Sequence, residues 1–231
     1  MIESIQFGSK QIVFSVMYSN RKTLGLTVTP ELKVIVNAPI SATQFEIEKR
    51  VRKRAPWILK QLDYFNNFLP SPVPKQFRGG ETHYYLGRQL KLNITIGKKE
   101  GVTYKGRSFE VVTKNKKRVE MLMQTWYKMK AKQVFAEIAE PLILRFKKYN
   151  VAPSSIYTMP MKKRWGSCSA KGRITLNTEL IKAQKACIEY VIIHELCHLV
   201  HHNHSAKFAA LLYKEMPDWE RWKNKLEQYV T

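Results

Sequence analysis

The stretch Ile188-Glu189-Tyr190-Val191-Ile192-Ile193-His194-Glu195-Leu196-Cys197-His198-Leu199-Val200 decides how the rest of the chain is read. It is apolar apart from a few polar side chains spaced along a helical repeat, which predicts a helix over about 185–202. Residues four apart share a helix face, so His194 and His198 can aim two imidazoles at one metal ion. Glu195, one position along, projects beside such an ion and not onto it. There it can accept a proton from water that the metal has acidified. Two histidines and a glutamate buried in an apolar helix without partners would be costly, and a metal supplies partners.

A catalytic zinc site usually has a third protein ligand and an open position for water. The candidates are His201, His202 and His204. His201 shares the face but sits about 10 Å of helix beyond His194, which strains a shared ion. His204 faces elsewhere on a continuous helix, yet returns to the metal if the helix ends near Asn203, a residue type that tolerates the left-handed conformation at a helix end. That favours His204. The His-Glu-x-x-His spacing itself matches that of zinc peptidases.

Upstream lie Trp165-Gly166-Ser167-Cys168-Ser169 and Gly172-Arg173-Ile174-Thr175-Leu176-Asn177, a glycine turn leading into a strand. With the metal helix next, this strand is expected to form the sheet edge along which an extended substrate is laid by main-chain hydrogen bonds. Arg164, Trp165, Gly166, Ser167, Arg173, Thr175 and Asn177 are the candidate substrate-binding residues.

Taken together, Arg164 to Ser169, the 174–177 strand, Glu189-Tyr190-Val191-Ile192, the His194–Leu199 motif and Asn203-His204-Ser205-Ala206-Lys207-Phe208 resemble the YgjP-like metal-dependent hydrolases, which are related to the SprT-like zinc proteases. Asn37-Ala38-Pro39, Trp57-Ile58 and Tyr85-Leu86-Gly87 also fit that family, so the resemblance spans most of the chain. It implies a compact zincin-type catalytic domain, zinc held by His194, His198 and His204, and Glu195 as catalytic base. The chain departs from the pattern at Gln184-Lys185-Ala186, where a proline commonly opens the metal helix.

Residues 1–40 alternate with strand periodicity (Ile12, Phe14, Val16; Leu24, Leu26, Val28; Leu32, Val34, Val36), which predicts an antiparallel β-meander. A helix follows, capped by Ser41 or Thr43, with Pro56 expected to kink or restart it. Pro70-Ser71-Pro72-Val73-Pro74 reads as a domain boundary. Short strands are expected at 84–86, 90–96, 102–104 and 109–112, then a helix over about 118–149 kinked at Pro141. Further strands fall at 156–161 and 173–176, and helices at 185–202, 205–215 and 217–230. The fold class is α+β: an N-terminal antiparallel β-rich region, then a zincin-like, mainly helical catalytic domain with a small sheet. The divisions are 1–70, 71–117 and 118–231, with no internal repeat.

Across the 231 residues, 40 Lys+Arg against 18 Asp+Glu leave a formal charge of +22, a field that attracts polyanions. Its clusters include 49–54, 114–118 and Lys162-Lys163-Arg164. Cys168, Cys187 and Cys197 are too few and too unevenly spaced for a disulfide framework and read as small buried hydrophobes in a reducing cytoplasm. Neither a signal peptide nor a membrane span is expected. Three functions remain: a zinc metallopeptidase acting on a polypeptide; a metal-dependent nucleoside triphosphate phosphohydrolase, favoured by the cations at Lys162, Lys163, Arg164, Lys171 and Arg173; and a nucleic-acid-associated module with a structural metal. The basic surface leaves room for nucleic-acid binding beside any of them.

Overall fold

The computed structural model describes residues 2–29, 31–66, 75–162, 164–227 and 229. The proline-rich break at 70–74 lies outside them. The chain forms two compact units, one reaching to Val73 and the other running from Pro74 to Val230. The fold is α+β, with three small sheets and five α-helices among the described residues.

In the first unit β1 (Ile2–Phe7), β2 (Lys10–Ser19), β3 (Gly25–Val28) and β4 (Val34–Pro39) form a sheet in the order β1-β2-β4-β3. This corrects the expected antiparallel meander, because β2 and β4 are parallel and β3 is turned out to the edge. Alternation assigns each side chain to a face, and Ile12, Phe14, Val16, Val34 and Val36 are indeed buried. It says nothing about which strand lies next to which. Helix α1 (Gln44–Asn66) opens with a capping box in which the Thr43 hydroxyl accepts from the Glu46 amide and the Glu46 carboxylate accepts from that of Thr43. It buries Ile47, Val51, Ala55 and Ile58, and runs on through Pro56 as one helix.

The second unit begins with β5 (Thr82–Tyr85), β6 (Arg88–Ile96), β7 (Gly101–Tyr104) and β8 (Ser108–Thr113), ordered β5-β6-β8-β7 with β6 and β8 parallel. Strand order and sense match those of the first sheet, and each sheet is followed by a long helix, here α2 (Val119–Phe146). The chain therefore repeats a topology that left no trace in its sequence. Packing demands only that apolar residues fall at the right period, so two copies of one arrangement need share no residue pattern.

Helix α2 also continues through its internal proline, Pro141. It buries Met123, Tyr127, Ala131, Ile138 and Phe146, and also Trp126, Phe135 and Ala139, because it is packed by the sheet on one side and by the helix of residues 185–200 on the other. β9 (Ser155–Met159), β10 (Gly166–Cys168) and β11 (Arg173–Asn177) make the third sheet, in the order β10-β11-β9. Helices α3 (Lys185–Val200), α4 (Ala206–Glu215) and α5 (Trp219–Glu227) complete the unit. α3 is apolar nearly all round and accordingly sits at the centre, against α2, α4, α5, β10 and β11.

The start of α3 needs no proline. Leu86 (φ 47°) and Gly87 (φ 78°) form the two-residue β5–β6 turn, both left-handed. Their amides donate to the carbonyls of Ile181 and Lys182, and a side chain on Gly87 would run into Gln184. The glycine lets this turn close onto the residues that lead into α3.

At the far end of α4, Glu215 is buried and accepts hydrogen bonds from Tyr149 and ion pairs from Arg145 (3.1 Å) and Lys148 (2.8 Å). Burial pushes its pKa up, but the hydrogen bonds and charges of Lys148, Tyr149 and Arg145 outweigh this, so it titrates below its ordinary 4.5. A depressed folded pKa stabilises fully above the unfolded value and fades as the pH falls through the folded one. Glu215→Ala is expected to cost about 1–3 kcal/mol at pH 7. In urea melts the deficit should shrink progressively below pH 4.5; a deficit unchanged at pH 3 would contradict this account.

Candidate metal centre

α3 carries His194 and His198 on one face, and their ring centroids lie 5.0 Å apart. The helix stops at Val200, earlier than expected, and His201 is already extended (φ −131°, ψ 104°). Asn203 is not left-handed. The chain instead reverses through 201–205, and Ser205 caps α4 by accepting from the Phe208 amide (3.4 Å). Just before that cap, His204 is brought back over α3, with its Nε2 3.0 Å from Nε2 of His194. One nitrogen from each of His194, His198 and His204 lies within 4.8 Å of the others.

This cluster fits a metal ion on its own terms. Two imidazole nitrogens at 3.0 Å repel unless a proton or a cation lies between them, and tetrahedral zinc with nitrogen ligands holds its donors about 3.3 Å apart. Burial, followed by the charges of His198, His204 and Lys223, pushes His194 down to about 4, so its ring is neutral at pH 7, the form that binds metal. His194 Nδ1 is buried with no hydrogen-bond partner among the described residues. His198 is held differently: its Nδ1 lies 3.3 Å from the His201 carbonyl, a bond that leaves Nε2 free as a donor to metal. His201 thus acts through its backbone. His202 is exposed at the rim of the cleft.

One residue of the centre carried no functional signal in the sequence beyond the family motif. Phe208 is buried and packs against all three imidazoles, at centroid distances of 5.0, 4.6 and 4.8 Å from His194, His198 and His204. The capped first turn of α4 delivers this ring, and its position four residues after His204 was the available clue.

Glu195 is buried beside the triad, and burial raises its pKa to about 7 against the lowering charge of Arg164. Its carboxylate lies directly under β10. A Cβ on Gly166 would stand 2.7 Å from Glu195 Oε1 and 2.9 Å from Val191, so any side chain here would force the carboxylate or Val191 to shift. Gly166→Ala is expected to leave metal content near wild type while lowering any hydrolysis that uses the Glu195 carboxylate at least about tenfold, since a displacement of about 1 Å at a reacting group is enough for that. Metal loss in this variant would show that β10 supports the ligands and not the carboxylate.

The cleft over the cluster measures about 490 Å³ and is lined by Arg164, Gly166, Ser167, Cys168, His194 and Glu195 among others. A neighbouring pocket of about 220 Å³ shares Arg164, Gly166, His194 and Glu195 and adds Trp165, Tyr190, Val191 and Leu226. Of the residues expected to meet substrate, Arg164, Trp165, Gly166 and Ser167 thus border the centre. Arg173, Thr175 and Asn177 do not line either cavity. β11 is the middle strand, so the edge facing the cleft is β10, a correction to the strand order expected from sequence. Arg173 lies over the Tyr157 ring. Asn177 is buried, its amide donating to the carbonyls of Met161 and Arg164, which ties down the segment that carries Arg164 and Trp165. Cys187 and Cys197 are buried, whereas Cys168 is partly exposed in the cleft, because β10 is an edge strand with one open side.

A helix with two histidines and an adjacent carboxylate, a third histidine from the following turn and an edge strand across the cleft is the arrangement of a metallopeptidase. The model of the YgjP-like metallopeptidase domain matches residues 22–229, and the chain belongs to that family. No curated protein matches it. Among solved structures it is similar to the metallopeptidase zymogen jannalysin of Methanocaldococcus jannaschii, at 23% identity over 42% of this chain and 97% of that one, with a TM-score of 0.37.

Proposed function

We propose that this chain is a zinc-dependent peptidase in which His194, His198 and His204 hold the ion and Glu195 is the general base. The observation that carries this reading is the convergence of three imidazoles beside a buried carboxylate, under the edge strand of a sheet. A donor set of three histidines with no carboxylate ligand suits zinc better than magnesium or calcium. A bound zinc ion supplies Lewis acidity and lowers the pKa of water in the site.

The protein's own groups do the rest. Main-chain groups of β10 align an extended polypeptide by strand pairing. Glu195 takes the proton of the attacking water on a carboxylate oxygen and returns it to the departing amine. Gly166 keeps that oxygen clear. The Tyr190 hydroxyl, whose pKa burial pushes up, stays protonated and faces the smaller pocket as a donor for substrate oxygen. His201 fixes the His198 ring through its carbonyl. The free cysteines agree with a reducing cytoplasm, and among the described residues no helix is long and apolar enough to cross a membrane.

A second reading, hydrolysis of a nucleoside triphosphate, is favoured by one observation: Arg164 lines both cavities, where a triphosphate would need a cation. The test offers metal-loaded protein unstructured polypeptide and nucleoside triphosphate in parallel. Polypeptide cleavage is expected; triphosphate turnover without it would install the second reading. Replacing Lys162, Lys163 and Arg164 together by Gln is expected to weaken salt-sensitive nucleic-acid binding, because each lost phosphate contact reduces counterion release. Because Arg164 also borders the cleft, peptide cleavage is read on Lys162→Gln with Lys163→Gln alone, where it should persist. Polyanion binding that is weak and indifferent to salt in the unmutated chain would leave the +22 with no nucleic-acid role.

A further inference from the structure

β9 is the other edge of the three-stranded sheet, pairing only with β11. Among the described residues its outward amides and carbonyls have no backbone partner. An edge of this kind is normally shortened, bulged, charged or covered; β9 carries no charge of its own, and Tyr157 and Met159 are exposed on it. Beside it runs a groove of about 880 Å³ walled by α2, with Phe135, Ala139, Ile143 and Ile156 forming an apolar floor. Lys128 and Lys132 sit above this floor on successive turns of α2, Lys147 follows just past its end, and Glu140 is the single acid among the lining residues.

We propose that this groove binds an extended polypeptide segment bearing alternating apolar and acidic side chains, which adds to β9 as a fourth strand. The three features are complementary to such a segment and to little else. Unpaired main-chain groups select a strand, because an acyl chain has nothing to pair with them. The apolar floor takes every second side chain, as the two-residue period of a strand requires. The three lysines match carboxylates on a partner and disfavour basic ones. The site requires neither the metal nor Glu195, so it stands or falls separately from the peptidase reading.

The experiment is fluorescence anisotropy with the full chain in EDTA, using a labelled ten-residue peptide of alternating Leu and Glu. Saturable binding at micromolar concentration is expected, and none would overturn the proposal. The same peptide N-methylated at alternate residues should lose at least about tenfold in affinity in one of its two registers, since strand pairing needs those amides; equal binding of both methylated registers and the parent would mean that the groove takes no strand. Lys128→Glu with Lys132→Glu and Lys147→Glu should weaken binding at least about tenfold, as reversing three complementary charges implies. Leu144→Glu, an exposed position on the groove, serves as the second variant and should also weaken it. Retained affinity in both variants, each checked for fold by circular dichroism, would place the peptide elsewhere. Anionic phospholipid vesicles that compete the peptide off, and themselves bind the N-methylated-sensitive site more tightly, would make it a lipid surface and refute the strand.

Discussion

Glu195→Gln is expected to retain the metal and to lose peptide hydrolysis by about 10²–10⁴-fold, the range a positioned general base contributes. The amide has the shape of the carboxylate, so the close passage of Gly166 over Glu195 is preserved and the packing of β10 on α3 should not change. What the amide lacks is the basic oxygen. In the native chain Glu195 is a buried residue whose carboxylate, among the described residues, carries no protein hydrogen bond that would have to be replaced; Arg164 acts on it through its charge. The measurement pairs elemental analysis with turnover of an unstructured polypeptide. A variant that keeps wild-type turnover removes Glu195 from the chemistry, and one that loses metal makes the carboxylate a ligand instead.

The ligand substitutions should act in a particular order. His194→Ala, His198→Ala and His204→Ala are each expected to lower zinc affinity on the order of 10²-fold or more, since structural zinc sites, worth roughly 10–16 kcal/mol, set the scale of several kcal/mol per ligand. His202→Ala should change little, since His202 is exposed at the rim. His201→Ala should also change little, for a less obvious reason: it is the His201 carbonyl that meets His198, and alanine keeps that carbonyl. Competition with a chromophoric chelator ranks the five variants. If His201→Ala weakens zinc as much as His204→Ala does, the ring of His201 is the third ligand and the reversal at 201–205 does not deliver His204.

At that reversal the local pattern of the chain no longer decides the structure. Periodicity placed His194 and His198 on one face of a buried helix, and the only way for His204 to join them was for the helix to end early. The end came at Val200 and was not made by Asn203. Helix ends are decided by which carbonyls and amides find partners. Here the His201 carbonyl meets His198 at the end of α3 and Ser205 caps the start of α4, which leaves the residues between them to the turn.

The sequence by itself determined which residues are buried, which periods they follow and which side chains lie four apart, because those depend on local geometry and on the cost of leaving apolar groups in water. It therefore specified the α+β content, the apolar helix α3 and the shared face of its two histidines. Tertiary structure alone decided the strand order. In both four-stranded sheets the parallel central pair joins strands separated by a hairpin arm, and in the third sheet β11 is the middle strand, so that Arg173, Thr175 and Asn177 miss the cleft while β10 forms its edge. It also folded α4 back so that Phe208 meets His194 and His198 of α3, and laid Gly166 over a carboxylate, contacts that no local period implies. The physical reason is the same in each case: hydrophobic alternation fixes a face, while the choice of neighbour is settled by packing and loop closure over the whole fold.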